Sequence, residues 1–381
     1  MEFGWSEEQQ ERYQSIVRFA RGELSPGHLE RDREARFERK LWEQAADFGL
    51  TGLPIPQAWG GLSFDTLDTI RAIEGLGYGC LDTGLIFSIC AHLFACAVPI
   101  WKAGDDRQRE RFLKPATSGQ LIAANAMTEP EAGSDISSLK TSALKDGDHY
   151  VLNGVKSFVT NGPVADLFLV YATVSRQAGF LGLTAFLIEK DTPRLKVAPI
   201  HDKVGLRSSP IAEVYLDDCR VPAENRLGRE GAGGAIFKES MGWERTCLFA
   251  VYVGLLQRQL EICIERTRDR KQFGQPIGKF QSVANRIVDM KLRLEASRLL
   301  LYQAGWVHQH RPQSDLESAL SKLFIAESAV QSGLDAIQIY GGYGCLSEMG
   351  IDLMLRDAIP ARIYSGTSEV MRKIIANSMG L

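Results

Sequence analysis

The sequence predicts an α+β protein with an N-terminal α-helical domain, a middle antiparallel β-barrel or β-sandwich domain and a C-terminal four-helix-bundle domain. Apolar residues recur with a helical period up to residue 120, with a period of two from 121 to 233, and with a helical period again from 234 to 381. No internal repeat or low-complexity linker separates these zones. We therefore expect three domains, at 1–120, 121–233 and 234–381, that pack closely together.

Helical periodicity in the first zone runs from Ile16 to Ala20 and from Leu41 to Phe48, after which the breaker run GLTGLPIP follows. The later stretch LIFSICAHLFACAVPIW, residues 85–101, is apolar on nearly every side. It is shorter than the ~20 apolar residues of a membrane span. The sequence therefore predicts a buried core helix here and no membrane segment.

Alternating apolar residues define the second zone. In HYVLNGVKSFVTNG, Asn153 and Gly154 stand between two alternating runs, which predicts a hairpin turn at this pair. LFLVYATV, LTAFLIEKD and AEVYLDDCRVP are further predicted strands, with no helical pattern between them. This arrangement predicts an antiparallel sheet and not a parallel doubly wound one.

Helical periodicity resumes in the third zone. Long helices are predicted over 235–269, 280–310 and 316–340, and a shorter one after Gly350. The third of these is predicted to have one apolar face, formed by Leu323, Ala326, Val330, Leu334 and Ile337.

Composition excludes several classes of protein. The formal net charge of −3 and the sequence pI of about 6.1 lack the basic footprint of a nucleic-acid-binding protein. The polar, acidic start MEFGWSEEQQ resembles neither a secretory signal nor a transit peptide. The seven cysteines form no C-x-x-C pair, and no His or Cys falls at ligand spacing, so we expect reduced core thiols and no metal site. These features predict a cytoplasmic protein.

Some conspicuous motifs have ordinary explanations. GREGAGGAIF, at 228–237, lacks G-x-G-x-x-G spacing and lies outside a βαβ unit, which favours a flexible domain junction over a phosphate loop. GGYG, at 341–344, is compatible both with a helix-capping turn and with a backbone approach to a ligand. His92 and His201 are predicted to be packing or surface residues.

Five segments carry a resemblance to a known family. They are AMTEPEAGSD (126–135), GVKSFVTNG (154–162), RKQFGQPIGKFQ (270–281), QIYGGYG (338–344) and IYSGTSE (363–369). In this order and spacing the chain resembles the acyl-CoA dehydrogenase superfamily over essentially its whole length. The resemblance implies the helical, β, helical-bundle fold, one FAD per subunit, and a homotetramer of paired dimers.

The resemblance also implies roles for residues of the flavin ring site. Met127 and Thr128 would bind the isoalloxazine ring, Phe158 would stack on it in place of a tryptophan, and Thr160 would lie near the reactive N5. Ser134 would bond the flavin phosphate or lie beside the thioester. The resemblance places the rest of the cofactor, its dinucleotide tail, across a dimer interface, held by Arg270, Phe273, Gln281, Gln338, Gly341, Gly342, Thr367 and Glu369.

The chemistry implied is α,β-dehydrogenation of a thioester, in which a base removes the α-proton while the β-hydrogen leaves as hydride. The base should be a carboxylate in a dry pocket, where burial raises its pKa toward working pH. In many relatives this base is a glutamate in the C-terminal segment, at the position of Ser365. A serine cannot act as this base unaided at neutral pH.

A second carboxylate stands in MGWERT, at Glu244. From the residues alone, Glu244 and Arg245 are explained as first-turn charges of an apolar helix. The resemblance implies more, because the isovaleryl and long-chain branches of the superfamily carry their base in an E-R dipeptide at this place and lack it in the C-terminal segment. We therefore expect Glu244 to be the catalytic base, with Ser134, Arg245 and Ser365 contacting the substrate.

A narrower resemblance concerns the acyl group. AHLFACAVPI, DKVGLRSSP, MGWERTCLFA, MKLRLEASRLLL and IYSGTSE are similar to dehydrogenases that oxidise a prolyl thioester on a carrier protein in pyrrole natural-product pathways. The resemblance implies oxidation of L-prolyl-S-carrier protein to pyrrolyl-2-carboxyl-S-carrier protein. The expected partners are a peptidyl carrier protein with a phosphopantetheine-tethered substrate, and an electron-transfer flavoprotein or oxygen as acceptor.

Two alternatives stay open at this point. The first is a short branched-chain acyl-CoA dehydrogenase that uses the same Glu244. The second, from another class, is a non-catalytic or DNA-associated flavoprotein of the same fold. The acidic net charge and the replacement carboxylate both count against the second.

Overall fold

The computed structural model describes residues 4–311 and 314–381. The first helix begins with a capping box, in which the side chain of Ser6 accepts from the Gln9 amide and the Gln9 side chain accepts from the Ser6 amide. The helices of the N-terminal region are α1 Glu7–Phe19, α2 His28–Glu34, α3 Arg39–Asp47, α4 Thr66–Gly79, α5 Thr83–His92, α6 Val98–Ala103, α7 Asp106–Gln108 and α8 Lys114–Thr117.

Two helical segments, Thr83–Ala103 and Gly233–Asp269, are long and apolar enough to cross a membrane by length and composition. However, 94% and 78% of their most apolar windows are buried inside the protein. Burial of this extent is what core helices show. The prediction of a buried helix at 85–101 is confirmed, although a π-helical turn at Leu93–Ala97 interrupts it.

A mixed sheet forms the middle region. Its strands run in the order β6-β7-β3-β2-β4-β5-β8, with β1 beside β4. Their bounds are β1 Ala123–Ala126, β2 Ser142–Asp146, β3 His149–Thr160, β4 Leu167–Thr173, β5 Leu183–Glu189, β6 Leu195–Val197, β7 Ile211–Pro222 and β8 Arg226–Leu227. Most pairs are antiparallel as predicted, but β1 and the first residue of β2 both pair with β4 in parallel. The parallel pairing was not predicted.

The prediction of a hairpin turn at Asn153 and Gly154 is wrong. The chain turns at Gly147 instead, between β2 and β3, and the Asn-Gly pair lies inside β3 where its register against β7 shifts. Glycine is required there because an added Cβ would lie 2.3 Å from the Thr141 hydroxyl oxygen. The Asn153 side chain accepts from the Asp218 amide at 2.7 Å, which ties the bulge to β7.

The third region is helical, with a short hairpin. Its elements are α9 Gly233–Trp243, α10 Ala250–Asp269, β9 Lys271–Gln272, β10 Gln275–Pro276, α11 Gln281–His310, α12 Leu316–Tyr340, α13 Ile351–Ala358 and α14 Ser368–Ser378. A π-helical turn, Glu244–Leu248, breaks the helix predicted over 235–269. Helices α10, α11 and α12 pack side by side, and α4 packs on α10 and α11. Helix α14 was not predicted.

The apolar face predicted for α12 is partly wrong. Ala326 is buried, but Leu334 is 48% exposed. The face buried in the chain is offset from the predicted one and is rich in small residues, because α10 and α11 approach α12 closely. The buried apolar residues of α12 are Ala319, Ile325, Ala326, Ala329, Ala336 and Ile339.

The three regions are joined by buried polar contacts. The Asp357 carboxylate of α13 accepts from the Leu206 amide of the middle region at 2.6 Å, and burial raises the pKa of Asp357 to about 7. Arg356 pairs with Asp32 of the N-terminal region at 2.7 Å. The regions therefore pack closely together, as the absence of a linker predicts.

The glycine-rich run at 228–237 is a close-packing site and not a phosphate loop. Gly233 begins α9, and an added Cβ there would lie 2.8 Å from the Leu183 carbonyl carbon. At Gly234 an added Cβ would lie 2.4 Å from the Phe180 ring. Only glycine lets α9 begin this close to β5 and to the loop before it.

Candidate active site

A cleft of about 360 Å³ lies between the helices and the middle sheet. One wall is formed by the end of β1 and by β3, and the other by α5, α9 and the loop before α14. The cleft brings together many of the residues predicted for the ring site and the substrate. Those that line it are Met127, Thr128, Ser134, Phe158, Thr160, Glu244 and Ser365. Thr367, which was predicted for the dinucleotide tail, lines the cleft as well.

Glu244 is the buried carboxylate of this cleft. It is the first residue of the π-helical turn after α9, and its side chain is only 7% exposed. Burial raises its pKa to about 7, while a hydrogen bond from Ser365 and the charge of Arg245 oppose part of this rise. A carboxylate with a pKa near neutrality is well suited to act as a general base.

Ser365 holds the Glu244 carboxylate. Its hydroxyl donates to Glu244 Oε2 at 2.6 Å. The loop that carries Ser365 has left-handed backbone at this residue (φ 52°) and at Gly366 (φ 96°). Arg245 Nε donates to the Ser365 carbonyl at 2.9 Å. Arg245, the neighbour of Glu244 in the sequence, therefore fixes the loop that carries Ser365.

Arg245 was predicted to contact the substrate, but it does not line the cleft. Its guanidinium lies behind the Ser365 loop, where burial lowers its pKa. In the structure Arg245 therefore supports the loop, and a substrate contact by this residue stays a prediction.

A buried ion pair supports the wall formed by β1 and β3. Lys156 Nζ donates to Glu129 Oε1 at 2.8 Å and to the Met127 carbonyl at 3.0 Å. Burial lowers the pKa of Lys156 to about 8. Burial alone would raise the pKa of Glu129, but Lys156 and the amides of Lys140 and Thr141 hold it below its usual range. This pair fixes the backbone at Met127.

Sequence reasoning missed Lys156 and Glu129. Both stand inside the quoted segments AMTEPEAGSD and GVKSFVTNG. A lysine between the apolar residues of a strand is the signal that could have found the pair, because a buried lysine needs a carboxylate partner.

The cleft fits a planar, hydrogen-bonding ligand such as the flavin ring. Phe158 is 66% exposed beside the cleft, with left-handed backbone (φ 55°), so a face of its ring is open for stacking. The buried amide oxygen of Asn125, also in the cleft wall, has no hydrogen-bond partner among the described residues. A buried oxygen without a partner indicates that this wall can accept a hydrogen bond from a polar ligand.

A separate surface cavity of about 370 Å³ brings together three of the residues predicted for the dinucleotide tail. Arg270, Gly341 and Gly342 line it, and none of its lining residues lines the cleft. An added Cβ at Gly341 or Gly342 would meet no other residue, so the backbone there is open to a ligand. Gly341 also caps the end of α12, so the helix-capping explanation of GGYG holds in the structure, and the approach of a ligand to this backbone stays a prediction.

The remaining predicted tail residues do not line this cavity. Phe273, Gln281, Gln338 and Glu369 are all exposed. Thr367 is the N-cap of α14 and accepts from the Val370 amide at 3.2 Å. Within one chain these residues form no common site with Arg270, and their binding to a shared cofactor tail stays a prediction.

Most cysteines and His92 are buried packing residues in the structure. Among the described residues no group of His, Cys, Asp and Glu could hold a metal ion. The seven cysteines, which all fall within the described residues, are free, and six of them are buried while Cys345 is exposed. His92 is buried, accepts from the Ala123 amide at 2.9 Å, and contacts the Ala116 carbonyl at 3.1 Å, which is a packing role.

Comparisons with known proteins agree with this geometry. Family models of acyl-CoA dehydrogenases match residues 6–120 (N-terminal domain), 124–219 (middle domain) and 231–380 (C-terminal domain). The chain belongs to the acyl-CoA dehydrogenase family. The family resemblance and the fold class predicted from sequence are therefore confirmed.

Within this family, two relatives share a more specific name, L-prolyl-[peptidyl-carrier protein] dehydrogenase. The chain is 46% identical over 381 residues to the protein from a Serratia species, covering 100% of this chain and 99% of the relative. It is 45% identical over 382 residues to the protein from Pseudomonas fluorescens, covering 100% of both. A solved structure of PigA with FAD and proline matches with a TM-score of 0.98 at 46% identity, covering 100% of both chains.

Proposed function

We propose that this protein is an FAD-dependent dehydrogenase that oxidises L-prolyl thioester on a peptidyl carrier protein to the pyrrolyl-2-carboxyl thioester. The observation that carries the proposal is the buried Glu244 carboxylate, held by Ser365 at the wall of a cleft that fits a flavin ring. The names of the two relatives, and the solved PigA structure with FAD and proline, support the acyl group and the cofactor.

In this mechanism Glu244 takes the α-proton of the thioester. Its pKa of about 7 provides a basic carboxylate at neutral pH. Because Ser365 occupies Oε2, the other oxygen, Oε1, is left to accept the proton. The flavin, when bound, supplies the acceptor for the hydride that leaves the β-carbon. Removal of water from the cleft strengthens the interaction of Glu244 with the reacting carbon.

The end of the cleft suits a small acyl group. Ala91 and Ala95 of the first helical region and Phe237 and Met241 of α9 form an apolar wall beside Glu244. A five-membered ring fits a site of this kind, and such sites combine apolar walls with few polar groups. A short branched acyl group would fit the same walls, so the two substrates have to be separated by experiment.

Residues of the β1–β3 wall would hold the flavin ring. Met127 and Thr128 present backbone and hydroxyl groups whose position is fixed by Lys156 and by the hydrogen bond from the Ser157 amide to the Thr128 carbonyl at 2.8 Å. Phe158 would stack on the ring. Arg270, Gly341 and Gly342 would bind the dinucleotide tail, since guanidinium and open glycine backbone both suit phosphate.

We propose that the protein is a homotetramer, and a cofactor site divided in this way needs at least two subunits. The tail cavity and the ring cleft share no residue, so we infer that each flavin is held by two subunits. Exposed apolar side chains on α11 and α12 would be covered by the partner subunits. These side chains are Val288, Leu292, Leu299 and Leu334.

We also propose a cytoplasmic location, and electron-transfer flavoprotein or oxygen as the electron acceptor.

Purified, FAD-loaded protein mixed with L-prolyl-carrier protein in the absence of an acceptor tests this function. We expect the flavin absorbance to bleach and, with acceptor present, the carrier mass to change by two successive two-electron oxidations. Isovaleryl-CoA at the same concentration is the control substrate. Bleaching by isovaleryl-CoA and not by L-prolyl-carrier protein would contradict the proposal.

A further inference from the structure

The loop between β4 and β5, Arg176–Gly182, packs against two elements that line the cleft. It contacts the short helical turn Ile136–Ser138, whose Ile136 lines the cleft. On its other side the Phe180 ring lies directly over Gly234 at the start of α9, and Phe237, one turn further along α9, also lines the cleft. The loop therefore bridges two walls of the cleft, and we infer that it borders the entrance.

Two large apolar side chains on this loop are open to solvent. Leu181 is 74% exposed and Phe180 is 39% exposed. They are neighbours at the entrance, and packing of Phe180 on Gly234 holds the pair in place. Apolar side chains that a protein leaves exposed beside an active-site entrance indicate a contact surface.

Two arginines flank this apolar pair. Arg176 begins the loop, and Arg229 lies two residues before Gly231, where an added Cβ would be 2.6 Å from the Leu181 carbonyl oxygen. Both arginines are exposed, and neither forms an ion pair among the described residues. Arg176 donates to the Lys140 carbonyl at 3.4 Å, and both guanidinium groups keep further N–H donors for an anionic partner.

Nearby carboxylates are already engaged. Glu131 pairs with Lys140, and Asp135 accepts from Ser137 and Ser138 in the turn that contacts the loop. These bonds hold the pKa of both carboxylates below its usual range. Asp135 therefore stays ionised.

Glu230, next to Arg229, accepts from the hydroxyl of the buried Tyr150 at 2.6 Å, so its carboxylate points toward the sheet. Arg176 and Arg229 are left as the cations beside Leu181 that form no ion pair among the described residues.

We propose that Arg176, Phe180, Leu181 and Arg229 form the docking patch for the carrier protein that delivers the thioester. The inference rests on the proposed function, in which the substrate arrives on a phosphopantetheine arm. The arm is joined to its carrier through a phosphodiester, which is anionic. The carrier surface that meets the cleft mouth therefore has a negative group at its centre. Arginines beside an exposed apolar pair complement such a surface. A patch this small suits a transient complex.

The test compares two substrates on the FAD-loaded protein: L-prolyl-carrier protein and L-prolyl-pantetheine, which lacks both carrier and phosphate. The variants are Leu181→Asp and Arg229→Glu, with Leu144→Asp as the control, because Leu144 is 63% exposed on β2 and lines none of the cleft. For the two patch variants we expect KM for the carrier substrate to rise at least about tenfold, with KM for L-prolyl-pantetheine and kcat for both unchanged. Titration calorimetry with the phosphopantetheinyl carrier that bears no prolyl group measures the loss of carrier affinity without turnover.

Three results would overturn the inference. An unchanged KM for the carrier substrate in both patch variants, or an equal rise for both substrates, would show that the patch does not contact the carrier. A change of subunit number in Leu181→Asp would show that another copy of this chain covers the patch. If the unaltered protein oxidises neither substrate, the proposed function itself fails, and this result is distinct from the other three.

Discussion

The hydroxyl of Ser365 donates a 2.6 Å hydrogen bond to the carboxylate of Glu244, across 121 residues of sequence. The two residues come from the π-helical turn after α9 and from the loop before α14. In the family resemblance these are the two alternative places for the catalytic base. Here one place holds the carboxylate, and the other holds the group that orients it.

This contact predicts the effect of Ser365→Ala on pH dependence. The hydrogen bond lowers the pKa of Glu244 against the effect of burial, so its loss leaves that pKa above its present value of about 7. Flavin reduction by the thioester should then need a higher pH, and the rate should recover at alkaline pH. Ser365→Gly also removes the hydroxyl and suits the left-handed backbone at this residue, so it should show the same shift. An unchanged pH profile of single-turnover reduction in Ser365→Ala would show that the contact does not tune the base.

Burial of Glu244 also predicts how stability depends on pH. Its pKa is about 7 in the folded protein and about 4.5 in the unfolded chain, so between these values the folded state binds more protons. This contribution to stability is present below pH 4.5 and is lost as pH rises through 7. Glutamine does not ionise, so Glu244→Gln avoids this loss of stability at high pH. The variant should therefore be more stable than the parent at pH 8, by at most about 3 kcal/mol. Denaturant unfolding at pH 5 and pH 8 measures the difference, and an equal gain at both pH values would contradict it.

The buried ion pair of Lys156 and Glu129 predicts that substitutions of the two residues have coupled effects on stability. Lys156→Met leaves Glu129 buried without its partner, which should cost about 3–5 kcal/mol of folding free energy. Lys156→Met combined with Glu129→Gln should recover most of that stability. FAD should still bind more weakly to the double variant than to the parent, because the Met127 carbonyl loses its donor. Parental FAD affinity in a folded double variant would show that the pair serves stability alone.

The tail cavity predicts a loss of cofactor in Arg270→Ala. Removing the guanidinium should raise the Kd for FAD at least about tenfold, since hydrogen bonds to a charged group contribute about 1.5–3 kcal/mol. Arg268→Ala, two residues earlier and also exposed, lines no part of the cavity and is the matched control. Fluorescence titration with FAD gives both values. Equal affinity in the two variants would exclude Arg270 from the site.

Local periodicity predicted the order of the three regions and most helices, because amphipathic patterns reflect burial directly. It could not show that β1 pairs with β4 in parallel, since that contact depends on the path of the chain between them. The Asn153–Gly154 pair was misleading because a turn at Gly147 precedes it and Thr141 approaches Gly154 closely. Leu334 was placed in a buried face because apolar spacing does not distinguish burial inside one chain from a surface left for another.

The site was predictable to a similar degree. Glu244 and Ser365 were identified as complementary positions from the family resemblance, but their hydrogen bond depends on how the loop before α14 folds back onto α9. Arg245 was assigned to the substrate because the sequence gives no sign that its guanidinium would bond the Ser365 carbonyl. The support from Lys156 was missed because its partner Glu129 lies 27 residues away, in the loop after β1.

The measurement that tests the central claim most directly is single-turnover reduction of bound flavin by L-prolyl-carrier protein in Glu244→Gln. This variant keeps the size of the side chain and its hydrogen bonding with Ser365 but cannot accept a proton. We predict normal FAD content and a reduction rate at least about 100-fold below that of the parent, the lower limit for a positioned general base. Ser365→Ala, measured in parallel, should lose far less at its optimal pH. Reduction of Glu244→Gln at the parent rate would contradict the assignment of Glu244 as the base.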